Sequence, residues 1–303
     1  MDLGTNTFHL LIAEKMEKGF KGVFLLTEAV KLGEGGMQNG LIKAEAFERG
    51  LKTMENFAEK IRVNEASPIR AVATSAVRST KNGADFIKEV KNRTQIEIEV
   101  IDGLQEGGLI YKGVKSSGIL SAEKALILDI GGGSVEFILC DEQEVFWKHS
   151  FEIGAQRLMQ LFHQVDPMTE ENIRKLNGYL DEQLQMLFLS VKKQDLQLLI
   201  GSSGSFETYA EMIEVEKGNP FDIQKITAYH FQIPDFNEVA HWLQHSSHQE
   251  RLHKRSITPL RVDMIVVASL ITQFVMKKLE IQKLSMTTYS LKEGVLAEMV
   301  EEL

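Results

Sequence analysis

The sequence predicts an α/β protein of two domains, and three observations lead there. Short apolar runs of strand type alternate with stretches of helical period along the chain, which is the pattern of an α/β architecture. At 303 residues the chain exceeds what one hydrophobic core comfortably organises. The third observation is an internal echo. Asp2-Leu-Gly-Thr-Asn-Thr-Phe-His-Leu-Leu-Ile returns 127 positions later, as Asp129-Ile-Gly-Gly-Gly-Ser-Val-Glu-Phe-Ile-Leu.

Each copy reads as strand, glycine turn, strand. The first hairpin takes Phe8–Glu14 and Gly22–Glu28, followed by the loop Gly33-Glu-Gly-Gly36. Ala46, Phe47, Leu51, Met54, Phe57, Ala58 and Ile61 recur at the helical period between Lys43 and Arg62. Ile69–Ala73 is a short strand that leads, through a strand-to-loop transition, to Arg78. A helix is expected over Asp85–Lys91, a half-buried strand over Ile96–Ile101, and a helix over Gln105–Val114. The polar, glycine-containing stretch Lys115–Lys124 is the expected boundary. The second half opens on the strand Ala125–Ile130 and repeats the hairpin. Helices follow near Ala155–Phe162 and Thr169–Val191, then a strand, Leu196–Ile200, running into Gly201-Ser-Ser-Gly-Ser205 and a helix. Pro220–Pro234 reads as a loop with a short extended piece. Helices reach Leu279, then a strand over Leu284–Thr288 and a last helix over Leu291–Glu302. The expected domains are residues 1–116 and 117–289, with a helix at about 290–303 packing back on the first.

A composition of 43% hydrophobic and 25% charged residues is that of an ordinary globular protein. The net charge of −9 argues against a nucleic-acid partner. It also means that a polyanionic ligand needs a cation or a local basic cluster beside it. A single cysteine, Cys140, excludes a disulfide framework, favours a reducing compartment and reads as a small buried residue. The run Met264–Met276 is interrupted by Ser269, Thr272 and Gln273 and is too short to cross a bilayer. No leader is visible, so no membrane association and a cytoplasmic location are expected. The scarcity of residues ahead of Asp2 suggests that a few are missing.

The two glycine turns point to phosphate. Backbone amides on such turns form anion-binding concavities, and two related turns suggest two clamps on one phosphate chain. The candidates are Gly4, Thr5, Asn6 and Thr7 in the first copy and Gly131, Gly132, Gly133 and Ser134 in the second. The plain alternative is that the glycines only supply positive φ. Gly201, Ser202 and Ser203 precede a helix and offer another phosphate position, with an ordinary strand–helix turn as the equal rival. Glu106, at a helix start beside Gly107 and Gly108, and Glu136, on the strand leaving the second turn, are the acid–base candidates. On the residues alone, interaction with the helix dipole is the weightier reading for Glu106. Arg78, Arg157 and Arg261 can present bidentate forks to phosphate, although a solvated surface arginine is the plainer reading of each. His241, His245 and His248 share helical spacing, but their Gln, Ser and Arg neighbours look like a solvated face and not a zinc site.

Taken together, these segments resemble the exopolyphosphatase/guanosine pentaphosphate phosphohydrolase family, in its short two-domain form, within the actin/sugar-kinase/Hsp70-like ATPase superfamily. The resemblance rests on the two Asp-x-Gly turns, Ala73-Thr-Ser-Ala-Val-Arg-Ser-Thr-Lys-Asn82, Ile101–Val114, Gly201–Ser205, Arg261-Val-Asp-Met-Ile265 and Leu291-Lys-Glu-Gly-Val-Leu296. It implies two actin-like (ribonuclease H-like) domains with an interdomain cleft, and release of orthophosphate from polyphosphate or guanosine pentaphosphate. Glu106 corresponds to the general base, Glu136 to an assisting carboxylate, Arg78 to a phosphate-binding arginine, and Asp2 and Asp129 to magnesium-proximal aspartates. The implied cofactor is Mg2+, held near Asp2, Asp129 and Glu136, and the implied assembly is a homodimer. The family often has paired glutamates followed by Ala-Arg where this chain has Gln105-Glu106-Gly107-Gly108. The additional C-terminal helical domain of longer members is not expected, which favours short chains or a nucleotide. Two rivals remain: a superfamily kinase that phosphorylates a small hydroxyl or acid acceptor from ATP, and a non-catalytic sensor of polyphosphate or alarmones.

Overall fold

A computed structural model describes residues 1–17, 19–192 and 194–302. The chain divides into two compact units: Met1–Ser116 with Leu291–Leu303, and Ser117–Ser290. Of the expected terminal helix, Leu303 lies outside the described residues.

The first unit contains β1 (Asp2–Leu3), β2 (Phe8–Lys15), β3 (Phe20–Glu28), α1 (Ala44–Val63), β4 (Ala71–Ala73), α2 (Ser75–Arg78), α3 (Gly83–Thr94), β5 (Ile98–Val100) and α4 (Gly103–Ser116). Its sheet has the order β3-β2-β1-β4-β5. The β1–β2 and β2–β3 pairs are antiparallel, and β1–β4 and β4–β5 are parallel. Ala46, Gly50, Leu51, Met54, Phe57 and Ile61 of α1 are buried, a stripe at helical period that packs in one core with Leu3, Phe8 and Phe86. Phe86 meets Phe8 and Phe47 edge-on, at 6.3 and 5.3 Å between ring centroids, an arrangement aromatic quadrupoles favour.

The second unit contains β6 (Ala125–Ile130), β7 (Val135–Cys140), β8 (Val145–Phe151), α5 (Ala155–Phe162), α6 (Glu170–Gln183), α7 (Gln185–Val191), β9 (Leu198–Gly201), α8 (Gly204–Glu216), β10 (Ala228–Phe231), α9 (Ile233–His245), α10 (His248–His253), α11 (Met264–Lys278) and β11 (Lys283–Thr287). Its sheet runs β10-β11-β9-β6-β7-β8. Without β10, which pairs antiparallel to β11 at one edge, this is the strand order of the first sheet. The duplication read from the two Asp-x-Gly segments therefore extends to whole-sheet topology. β7 is buried at every position, as a strand covered on both faces is, and Glu136 is the one charged residue in it.

The C-terminal helix, α12 (Leu291–Glu302), returns to the first unit. It packs on α4 so closely that a methyl at Gly294 would lie 1.8 Å from the carbonyl oxygen of Leu109. Glu298 of α12 accepts from Arg70 Nη1 at 2.5 Å and from Lys112 Nζ at 2.8 Å.

Three local readings are corrected. Thr74–Arg78 is not a plain strand-to-loop transition, because Ser75–Arg78 forms a helical turn. The helix expected over Thr169–Val191 is interrupted at Leu184, between α6 and α7. Val145–Phe151, assigned no strand in the sequence, is β8, and pairs with β7 from Val135↔Phe151 to Cys140↔Val145.

Candidate active site

In the first unit, the turn between β1 and β2 is closed by Gly4 N donating to Thr7 O at 3.0 Å. The carbonyls of Thr5 and Asn6 accept from Gly33 N (3.0 Å) and Lys31 N (2.8 Å). Asp2 lies opposite His9 in the β1–β2 register and is buried. Burial pushes its carboxyl up to about 6, and the positive charge of Lys292 on α12 opposes that shift.

Glu106 sits in the first turn of α4, and this helix start is well specified. Asp102 Oδ1 accepts from Gln105 N at 2.8 Å, while Gln105 Oε1 accepts from Asp102 N at 2.9 Å. That reciprocal pair is a capping box, which satisfies two amides that lack intrahelical partners. The Gln105 departure thus has a structural role that either glutamine or glutamate can fill. Glu106 is buried, at 6% exposure. Arg78 Nη1 donates to Glu106 Oε2 at 3.0 Å and to Ile101 O at 2.9 Å. A carboxylate this deep requires a compensating cation, and the end of α2 delivers one.

In the second unit, Gly131 N donates to Ser134 O at 3.0 Å, matching the Gly4–Thr7 closure. A Cβ at Gly4 would stand 3.0 Å from Thr7 O, and one at Gly131 would stand 3.0 Å from Ser134 O. Neither glycine has the left-handed φ, so tight closure, not positive φ, requires glycine there. Asp129 and Glu136 are directly opposite in the antiparallel β6–β7 register, which puts both carboxylates on one face of the sheet. Glu136 Oε1 accepts from Ser150 Oγ at 2.6 Å, across the next strand pair. Ser202 Oγ is 3.3 Å from Asp129 Oδ2, and Ser203 Oγ accepts from Ile130 N at 3.4 Å. Parallel pairing of β6 with β9 brings the Gly201–Ser203 segment to Asp129.

Residues 11–303 match the Ppx/GppA phosphatase family. The chain belongs to that family. It is 39% identical to an exopolyphosphatase of known structure from Cytophaga hutchinsonii, with a TM-score of 0.96 over 100% of this chain and 97% of that one. A Ppx/GppA family member from Aquifex aeolicus shares the fold, with a TM-score of 0.83 at 24% identity over 99% of this chain and 96% of that one. A Haemophilus influenzae protein named, provisionally, as an exopolyphosphatase is 27% identical over 98% of this chain and 89% of its own length. A bifunctional 3-dehydroquinate synthase/phosphatase of Fusobacterium nucleatum is 33% identical over 89% of this chain, which matches 42% of that longer protein. The two sheets are the actin-like domains of Ppx/GppA structures.

Within this Ppx/GppA chain, Asp2, Gly4, Thr5, Asn6, Thr7, Arg78 and Glu106 belong to the first unit. Asp129, Gly131, Gly132, Gly133, Ser134, Glu136, Gly201, Ser202 and Ser203 belong to the second. Arg78 is brought to Glu106, and Asp129 to Glu136 and Ser202. Among the described residues no three His, Cys, Asp or Glu side chains gather as a metal-ligand group. His241, His245 and His248 are accounted for otherwise: His248 Nδ1 is 2.7 Å from Asp263 Oδ1, and the other two rings lie 4.1 Å apart.

The solvated-arginine reading is corrected for all three arginines. Arg78 holds Glu106. Arg157 Nε donates to Gly133 O at 3.3 Å and Nη2 to Glu152 Oε2 at 2.6 Å. Arg261 donates to Thr208 Oγ1 at 3.2 Å and lies where a Cβ on Gly204 would be, at the start of α8. Ser150 escaped the sequence reading because β8 did. The period-2 aromatic stripe of Trp147, His149 and Phe151, now seen packed with centroids 6.1 and 4.6 Å apart, is the signal that identifies the strand.

Proposed function

We propose that this phosphatase releases terminal orthophosphate from inorganic polyphosphate, with guanosine pentaphosphate as a second substrate. The observation that carries the reading is the contact of half-buried Arg78 with buried Glu106 at 3.0 Å. It couples a general base to a phosphate-binding cation. A terminal phosphate competes for the Arg78 fork, and Glu106, so released, orients and deprotonates water for in-line attack. Amides of the Gly4–Thr7 turn in the first unit, and of the Gly131–Ser134 turn in the second, each offer donors suited to phosphoryl oxygens. The strong similarity to the Cytophaga hutchinsonii exopolyphosphatase supports polyphosphate as the substrate.

The residues fit a divalent ion in the second unit. Two carboxylates opposed on one sheet face repel each other, so the Asp129–Glu136 pair favours a hard cation that also takes phosphate oxygens and water, as Mg2+ does. When bound, it supplies neutralisation of charge on the phosphoryl oxygens. Asp2, in the first unit, is buried and faces the positive charge of Lys292. The single buried cysteine suits a reducing cytoplasm, and a homodimer is the proposed assembly.

The test is phosphate release from short polyphosphate, long polyphosphate and guanosine pentaphosphate, assayed in parallel with and without Mg2+. Magnesium-dependent release from polyphosphate is expected. No release from any of them, or ATP-dependent phosphorylation of an acceptor instead, overturns the reading.

A further inference from the structure

The three glycine carbonyls of the second turn all point into the start of α5. Gly131 O accepts from Ala155 N at 2.9 Å, Gly132 O from Gln156 N at 3.1 Å and Arg157 N at 3.3 Å, and Gly133 O from Gly154 N at 3.1 Å. Gly133 O accepts in addition from Arg157 Nε at 3.3 Å, and the same guanidinium is braced by Glu152 at 2.6 Å. The approach is so close that a Cβ at Gly154 would lie 2.4 Å from backbone atoms of Gly132 and Gly133. In a trans peptide the carbonyl and the following N–H point in opposite directions. Turning these carbonyls toward α5 therefore aims the amides of Gly132, Gly133 and Ser134 the other way.

We infer that Arg157 is a positioning residue, which fixes the Gly131–Ser134 turn in its anion-binding form by holding the carbonyl of Gly133. Three successive glycines have the largest conformational freedom a chain can have, and preorganised donors stabilise a transition state only if they are already aimed. The first turn, with one glycine, is held by the backbone donors Lys31 N and Gly33 N. The triple glycine has a side-chain donor as well. Arg157 thereby differs from Arg78, whose fork is assigned to substrate. This inference rests on the phosphatase reading for what the turn binds, but not for what holds the turn.

The test compares wild type with Arg157→Ala, Arg157→Lys and Glu152→Ala, using amide hydrogen exchange without substrate and steady-state phosphate release from short polyphosphate. Arg157→Ala is expected to speed exchange at Gly154 and Ala155 at least tenfold. It should lower kcat at least tenfold while KM changes less than threefold. Arg157→Lys, with one ammonium in place of a fork, is expected to recover only a minor part of that loss, and Glu152→Ala to lower kcat at least threefold. Unchanged exchange in Arg157→Ala overturns the inference. So does full rescue by lysine, or tighter substrate binding in Glu152→Ala, since either marks Arg157 as a substrate ligand. If wild type releases no phosphate, the functional reading fails and the exchange data alone still decide the role of Arg157.

Discussion

Gly294→Ala places a methyl carbon 1.8 Å from Leu109 O and 3.1 Å from Gly113 N, where comfortable contact needs about 3.5 Å. Both obstacles are backbone of α4, so no side-chain rotation relieves the overlap. The helices must part by roughly 1.7 Å to restore that contact distance. Overpacking of this kind costs about 1–3 kcal/mol. Separation also strains the burial of Leu291 and Val295 and the hydrogen bonds of Glu298 to Arg70 and Lys112. A total near 3 kcal/mol is expected, lowering the melting temperature by roughly 6–10 °C. Because Glu106 lies in the first turn of α4, phosphate release should fall as well, since a displacement of about 1 Å can cost on the order of 100-fold. Gly178→Ala is the control: a Cβ there meets nothing within 4 Å in the middle of α6. It should stabilise by about 0.5–1 kcal/mol. Thermal unfolding of both variants is the assay. A Gly294→Ala protein that melts at or above wild type would refute close backbone docking of α12 on α4.

Two further outcomes follow from titratable groups. The hydrogen bond from Lys112, reinforced by Arg70, holds the Glu298 carboxyl below its ordinary value of 4.5. Its stabilisation, about 0.5–1 kcal/mol, is present above that value and lost as pH falls through the depressed one. The stability gap between wild type and Glu298→Gln should therefore narrow on acidification from pH 5 to about pH 3, and a gap independent of pH contradicts this. Burial pushes the Cys140 thiol up to about 12, so the folded protein should resist alkylation at about pH 8 and react only on unfolding. Rapid stoichiometric labelling of the native state would count against that placement.

The glycine segments were legible because duplication supplied two samples of one local geometry. Gly4–Thr7 and Gly131–Ser134 close with the same 3.0 Å hydrogen bond. Ala125–Ile130 was legible to the residue, since apart from Asp129 it is the continuous apolar run of a strand buried on both faces. β8 was not, because the ring that continues its stripe between Trp147 and Phe151 is the polar His149, and because Ser150 faces a buried carboxylate, not solvent. The roles of Arg157 and Arg261 were out of reach for another reason. Their partners, Gly133 O and the start of α8, come together only through tertiary packing, and no local pattern encodes that. Gln105 looked like a departure from the family and proved to complete a helix cap, a role that Asp102, three residues earlier, signals in the sequence.

The central claim is that Glu106 activates water on a terminal phosphate, and Glu106→Gln tests it most directly. The amide retains size and hydrogen-bonding capacity beside Arg78, so folding and polyphosphate binding should persist. Magnesium-dependent phosphate release from short polyphosphate should fall by at least about 100-fold. Turnover within a few-fold of wild type in the folded variant would contradict the account.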